Sequence, residues 1–473
     1  MRNGTSTATI NRRSLLIACA TGGIVAVTGS TFIFRSVVAD TKDALYYTYG
    51  LYEYAHRMQI LSAQVKRDGL VSEKDVLEQF PDWQGEPILN KGIHVRSLSD
   101  HSSRSIPTPN SDTLYTSAVL ELSGGPVEVN LPASQDRYIS VAFMDAFSEQ
   151  VAYLGTRATR GKPGRYWVFG PGQKAQTPEG VEAIVMTTND IWALARVFVA
   201  GDDDLEAARA VQSQLTIAPV DPKNKPKTFA VKATPTPNPQ TFLALTNELL
   251  SRSPLQGQAA RASRFEHLGV SAGRLDAYDR LSPLKKKLWE LALENVEGQV
   301  REQMMQLEGA TVGWIKPPRD LGNYRENDAL RSAVAIVGFG ALTLEEAAYY
   351  KSTGDNAGDP LHGANIYRME IPQNAIPVDA FWSLSVYEVS SDQRLYFFEN
   401  PINRFSVNSH DSGLEFQEDG TLVLALQNER PDEEGVVWFP TPKSQFQCVF
   451  RAYLPHKEAV EGQWTPPPIT RVL

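Results

Sequence analysis

Two regions of this chain alternate apolar side chains at every second residue, and a region of helical period separates them. Leu114, Thr116, Ala118, Leu120 and Leu122 fall on one side of an extended run, and Ile191, Ala193, Ala195, Val197 and Val199 on one side of another. Between them, Val127 to Leu131, Tyr138 to Phe143, Tyr166 to Phe169 and Ile184 to Thr187 are short apolar segments divided by Gly, Pro and Asp. A two-residue repeat is the signature of a half-buried strand, so this region predicts many short strands joined by turns. The same period returns from Tyr367. Phe381, Ser383, Ser385 and Tyr387 alternate with Trp382, Leu384, Val386 and Glu388, and Phe446 to Leu454 gives a closing strand. Asp419-Gly420, between Leu414–Gln417 and Thr421–Gln427, is a hairpin signal. The expected fold class is α+β, mostly β: two antiparallel β-sandwich modules joined by a helical region.

The intervening sequence reads differently. A proline- and lysine-rich connector, Pro219 to Pro239, predicts an extended linker or a strap across the surface. Helices are expected over Gln240 to Leu250, from the Ser282-Pro283 start pair through Met304, over Asp328 to Phe339, and over Leu344 to Tyr350 behind the box Thr343-x-x-Glu346. Asp202-Asp203-Asp204 places acids at the start of a further helix, Leu205 to Leu215. Earlier in the chain, Ala44 to Val65 reads as a helix, and Ser72 with Asp75 opens a shorter one. No internal repeat is present. The organisation expected is a leader over 1–39, helices and a loop over 40–112, a β-rich module over 113–218, a connector and helical region over 219–355, and a second β-rich module over 356–473.

Residues 1–39 hold four arginines and no acid. Arg12-Arg13 precede an uncharged stretch from Leu15 to Phe34, and Val37-Val38-Ala39 supplies small residues for cleavage. This is the pattern of a twin-arginine export signal, which predicts a periplasmic or secreted protein. An uncleaved membrane anchor over residues 15–34 is the alternative, and Leu16-Ile-Ala-Cys19 also resembles a lipoprotein box. The full chain of 473 residues carries a net charge of −9, and the part after the leader is more acidic still. With no long basic run, a nucleic-acid partner is not expected. Two cysteines, Cys19 and Cys448, exclude both a disulfide framework and a cysteine-rich metal site.

Pro109-Asn-Ser-Asp-Thr-Leu-Tyr115, Asp136-Arg-Tyr138, Gly155-Thr-Arg-Ala-Thr159, Gly170-Pro-Gly172 and Arg196 to Asp204 together resemble the module known as DUF1254. Phe381-Trp-Ser-Leu-Ser-Val-Tyr387, Asn400-Pro401, Gly413, Asp419-Gly420, Trp438-Phe-Pro440, Arg451-Ala-Tyr453 and Trp464-x-Pro-Pro resemble its companion, DUF1214. The resemblance implies two all-β modules, of immunoglobulin-like and jelly-roll-like character, in exported or surface-associated proteins that form homo-oligomers. It brings no catalytic residues with it.

Chemistry therefore has to be read from the side chains. There is no G-x-S-x-G elbow, H-E-x-x-H pair, Walker loop or dinucleotide fingerprint, and no cofactor is expected. His94, Asp100, His101 and Asp112 come nearest to a metal cluster, but their spacing matches no recognised site and no metal is expected. The stronger constellation pairs a polar loop, Asn110, Asp112 and Tyr115, with a basic one, Arg157, Thr159, Arg160, Lys162 and Arg165. Asp112 and Tyr115 are the acid–base candidates; Asn110, Arg157, Thr159 and Arg160 are the candidate contacts to an anionic ligand. In the second module, Trp382 and Arg451 combine an aromatic face with a planar donor, which suits a sugar ring or an aromatic ligand. Two readings follow: an enzyme acting on a small anionic or sugar-like molecule, and a non-catalytic binding or structural protein.

Overall fold

The computed structural model describes residues 27–472 apart from 64–69, 105–106, 135, 235, 256, 295, 297, 301–312 and 392. The Arg12-Arg13 pair, Cys19 and the first part of the apolar stretch lie outside the described residues. So does Met304, the expected end of the helix after Pro283. The first strands are β1 (Ile93–Val95), β2 (Thr113–Glu121), β3 (Val127–Leu131), β4 (Ile139–Asp145), β5 (Gln150–Gly155), β6 (Gly164–Phe169), β7 (Val181–Val185), β8 (Asp190–Phe198) and β9 (Thr216–Pro219). They form one sheet in the order β1-β2-β8-β4-β5 and a second in the order β7-β6-β3-β9. Leu114, Ala118, Leu120, Val141, Ile191, Ala193 and Val197 face Val127, Val129, Tyr166 and Val168 across the shared core. The alternating residues that the sequence picks out are thus the inner lining of a sandwich.

A second sandwich follows from β10 (Trp314–Ile315), β11 (Ala347–Ser352), β12 (Tyr367–Ile371), β13 (Val378–Val389), β14 (Leu395–Tyr396), β15 (Ser406–Asn408), β16 (Leu422–Gln427), β17 (Val437–Pro440), β18 (Phe446–Pro455) and β19 (Thr470–Arg471). One sheet runs β10-β11-β18-β13-β14, with β15 also paired to β13, and the other runs β17-β16-β12-β19. Trp382, Leu384, Val386, Cys448 and Phe450 meet Met369, Leu422, Leu424 and Phe439 in its core. The hairpin at Asp419-Gly420 is present, with Gly420 at φ +83° and Phe416 bridged to Leu422. Pairing is antiparallel throughout both sandwiches except for β6 with β7 and β16 with β17. The fold class is α+β, mostly β.

The helices are α1 (Val27–Leu61), α2 (Glu73–Gln79), α3 (Leu205–Gln212), α4 (Pro239–Arg252), α5 (Gln258–Ser263), α6 (Pro283–Glu294), α7 (Asp328–Val337) and α8 (Lys457–Val460). Helix α1 is buried on all sides from Ala44 to Met58, with Tyr47, Tyr49, Tyr52 and Tyr54 at or below 2% exposure. A helix buried all round is a core helix, and here even the polar side chains Thr48, Glu53 and His56 are buried with the rest. It packs against α4, α6 and α7 and, through Trp192, Leu194 and Val119, on the outer face of the first sheet. Among the described residues no helix is long and apolar enough to cross a membrane.

The proline-rich connector is a strap fixed by side chains, because it has few ladder partners of its own. Glu121 accepts from the Lys227 amide at 2.8 Å, Glu248 from the amides of Ala230 and Val231 at 2.7 and 2.8 Å, and Gln59 from that of Ala233 at 3.0 Å. Arg252 reaches the carbonyls of Lys227 and Thr228 while pairing with Asp190 at 2.7 Å.

One expectation is overturned. Leu344 to Tyr350 is not a helix: Thr343–Glu346 forms a turn, and Ala347–Ser352 is strand β11, paired with β18. Long-range pairing outweighs the helix-favouring run of Glu and Ala.

Candidate functional site

Strand alternation gives each inner sheet a second face, and these two faces meet. On the first sheet, register places Tyr115, Arg196 and Ser140 side by side on β2, β8 and β4. On the second, Tyr349, Arg451, Ser383 and Asn408 form a row across β11, β18, β13 and β15. Aromatic rings close the joint: Phe198 lies 3.9 Å from Phe381, Phe381 stacks on Tyr453 at 4.1 Å, and Tyr138 lies 5.2 Å from Tyr453.

Arg196 is 6% exposed, with its guanidinium 5.6 Å from the Tyr115 ring centroid. Among the described residues it has no carboxylate within salt-bridge distance, and its Nε and Nη1 are buried without an acceptor. Burial works against its charge, but Tyr349, Tyr115, Tyr453 and Tyr138 around it act the other way, and its protonated form is favoured. An arginine does not shed its proton, so this is a standing positive charge in a dry place. Arg451, 1% exposed, is better provided for. It donates to Ser385 Oγ at 2.8 Å and to Tyr387 Oη at 2.6 Å.

Asp112 is fully buried beside this second arginine. Its Oδ1 accepts from Ser406 Oγ at 2.7 Å, and its Oδ2 has no hydrogen-bond partner among the described residues. Burial raises the carboxyl above its ordinary 3.8, while Ser406, Arg451, Ser383 and Asn408 each pull it back. Asn110 Oδ1 accepts from the Asp112 amide at 2.7 Å, and its Nδ2 donates to Tyr453 Oη at 2.7 Å. Tyr453 and Tyr349 join their hydroxyls at 3.1 Å.

The basic loop does not meet Asp112. Arg157 donates through Nε to Glu346 at 2.7 Å and covers the Tyr153 ring at 4.9 Å. Glu346 also accepts from Tyr138 Oη at 2.8 Å, so the pair forms one wall of the junction. Thr159 bonds to the Gly155 carbonyl within its own turn, Arg160 is exposed, and Arg165 pairs with Glu128 at 2.8 Å. Trp382 and Arg451 point to opposite faces of their sheet: Trp382 stacks on Phe450 at 5.6 Å in the sandwich core. Cys448 lies in that same core, and burial pushes its thiol up.

Among the described residues no three His, Cys, Asp or Glu side chains gather as a metal site. His94 bonds to Thr116 Oγ1 at 2.8 Å, His101 packs on Phe405, and Asp100 accepts from the Ser102 amide. Burial and the nearby Arg96 lower His94 to about 4. Its unfolded form therefore takes up a proton first, and stability falls as pH drops from 6.5 toward 4, by up to about 3 kcal/mol. Asp145, raised by burial to about 6, works in the opposite sense over part of that range. Subtracting the urea stability of His94→Gln from that of the wild type at each pH isolates the histidine. A flat difference between pH 6.5 and 4 would refute its contribution.

Sequence reasoning finds Asn110, Asp112, Tyr115 and Arg451 but passes over Arg196, Tyr138, Glu346, Tyr349 and Tyr453. The available signal for Arg196 was its place between Leu194 and Phe198 on a strand whose other face is wholly apolar.

Comparison with known proteins fits this architecture. Residues 89–219 match the family described as "Protein of unknown function (DUF1254)", and residues 346–457 match "Protein of unknown function (DUF1214)". No curated protein matches the chain. The crystal structure of the VPA0106 protein from Vibrio parahaemolyticus aligns with a TM-score of 0.67 at 22% identity, over 92% of this chain and 100% of that one. An uncharacterised protein from Burkholderia cenocepacia aligns over 94% and 96% of the two chains, with a TM-score of 0.44 at 13% identity. With both modules matched, in order and over more than half its length, the chain belongs to the two-module DUF1254–DUF1214 family.

Proposed function

We propose that the junction between the modules binds a small anionic ligand, in a protein exported by the twin-arginine route. The observation that carries the binding reading is Arg196: a buried cation with two donor nitrogens, Nε and Nη1, that find no acceptor, and with no carboxylate partner among the described residues. Such a charge costs several kcal/mol unless an anion joins it, and a site that keeps it trades stability for binding. Asp112 places a carboxyl at the same junction, raised above its ordinary value by burial and pulled back by Ser406 and Arg451. The export half rests on Arg12-Arg13 and the uncharged stretch behind them.

A binding protein without turnover is the second reading. The junction serines face a carboxylate or a guanidinium: Ser406 bonds to Asp112 and Ser385 to Arg451, and neither is set against an imidazole base.

Arg196→Met is expected to be more stable than the wild type without ligand, by about 1–3 kcal/mol. It should also lose the rise in melting temperature that the wild type shows in a panel of carboxylates, sulfate, phosphate and sugar acids. A variant less stable than the wild type that keeps the same anion response would refute the pocket. Fractionation of cells carrying Arg12→Lys with Arg13→Lys checks export; an undiminished periplasmic fraction would refute that route.

A further inference from the structure

Resting on the anion-pocket reading, we infer that the ligand at the junction is a monocarboxylate with an apolar body, its carboxylate against Arg196 and its body against the tyrosine rings.

The charges fix the first half of the inference. Arg157 is matched by Glu346 at 2.7 Å. Arg451 is faced by Asp112, which feels its field directly. Neither Arg196 nor Arg451 has a carboxylate within salt-bridge distance among the described residues, but Asp112 lies close enough to Arg451 to feel its charge, so with Asp112 ionised these three groups carry one net positive charge. One uncompensated positive charge calls for one negative charge, and a phosphate or sulfate dianion would bring a second charge into a desolvated place with nothing to balance it.

Proton counting adds a donor. Tyr453 Oη accepts from Asn110, and Tyr453 and Tyr349 share one hydrogen bond between their hydroxyls. Two hydroxyls carry two protons, and one proton makes the bond between them. Whichever way that bond runs, one phenolic proton is left for an acceptor. Ser140, beside Arg196 on β4, has a buried Oγ without a hydrogen-bond partner of its own. A carboxylate offers two oxygens: one for the guanidinium and one for these hydroxyls.

The walls fix the other half. Tyr115, Tyr138, Tyr349 and Tyr453 surround the guanidinium, and Tyr115 and Tyr349 are the two that remain partly exposed. The partly exposed rim of the junction thus carries two aromatic rings, Tyr115 against Arg196 and Tyr349 against Arg451 at 5.3 Å. An apolar body gains by covering them, whereas a sulfate or phosphate ion has nothing to place there.

The test uses the dialysed full chain at pH 7 and titration calorimetry with butyrate, benzoate, sulfate and phosphate. Butyrate and benzoate are expected to bind at least tenfold more tightly than either inorganic ion, and Arg196→Gln should abolish that binding. Tyr349→Phe, at the partly exposed rim, should weaken it several-fold while leaving the melting temperature of the free protein within a degree or two. If sulfate or phosphate binds through Arg196 and the carboxylates do not, the ligand class is overturned and the anion pocket stands. If Arg196→Gln and Tyr349→Phe both bind every anion as the wild type does, or if no anion binds the wild type, the pocket itself is overturned.

Discussion

Arg252→Met is expected to cost about 3–5 kcal/mol of folding stability. The wild-type guanidinium holds Asp190 at 2.7 Å with side chains only 11% and 4% exposed, bonds to the Lys227 and Thr228 carbonyls at 2.8 and 2.9 Å, and lies 4.2 Å from the Phe229 ring centroid. Removing it leaves a buried carboxylate facing no cation and frees two strap carbonyls at once. Much of the loss comes from the stranded Asp190. Pairing Arg252→Met with Asp190→Asn should therefore recover part of it, because the amide carries no charge. Urea denaturation of the single and double variants measures this. A double variant that loses as much as the two singles added together would show that the ion pair is not the source. Limited proteolysis offers a second readout, since Lys223 and Lys227 are exposed and a released strap gives their backbone the freedom to enter trypsin.

Gly155→Ala should be nearly as damaging, at about 3 kcal/mol or more. Gly155 ends β5 at φ +119°, and a Cβ there would come within 2.0 Å of the Ile139 carbonyl oxygen and 2.9 Å of Ser140 Cα. Both obstacles are backbone of strand β4, paired on both sides by β8 and β5, which cannot give way without moving the sheet. Gly172→Ala is the control. Its φ of +74° is also unfavourable for alanine, but nothing stands within 4 Å, so only the conformational cost of about 1 kcal/mol applies. Equal losses in the two variants would mean that crowding against Ile139 plays no part. Because Arg157 follows two residues later, Gly155→Ala should also disturb the Arg157–Glu346 pair and with it one wall of the junction.

The strands were legible because alternation is a local property. Leu114 to Leu122 and Ile191 to Val199 advertise the face turned into the first sandwich, and that face is where the residues named from sequence lie. What alternation does not reveal is a partner for the second face. Arg196 reads as the polar side of an amphipathic strand, and only the docking of the other module turns that side inward. Trp382 and Arg451 fail as a pair because they lie on neighbouring strands whose register sets Arg451 beside Ser383, one residue from Trp382, and so on the opposite face. Asn110 and Asp112 were visible as a loop motif, but their partners Tyr453, Ser406 and Asn408 come from roughly 300 residues later. Strand β11 was misread because Glu345, Glu346, Ala347 and Ala348 favour a helix locally, and no local signal reports its ladder with β18.

The central placement of α1 has a consequence for how the chain reaches this fold. Helix α1 packs on α4, α6 and α7 and reaches α5 through the bond from Tyr47 to the Gln258 carbonyl, 211 residues away, so its partners are synthesised some 180 to 290 residues later. At a ribosomal rate of roughly 5–20 residues per second, the helix waits on the order of ten seconds or more with its apolar surface uncovered. The first sandwich draws its strands from a contiguous stretch and is able to close in that interval; the helical layer has to wait for α7. Folding is therefore expected to proceed in at least two phases, and the early helix is the segment that most needs protection by a chaperone between them.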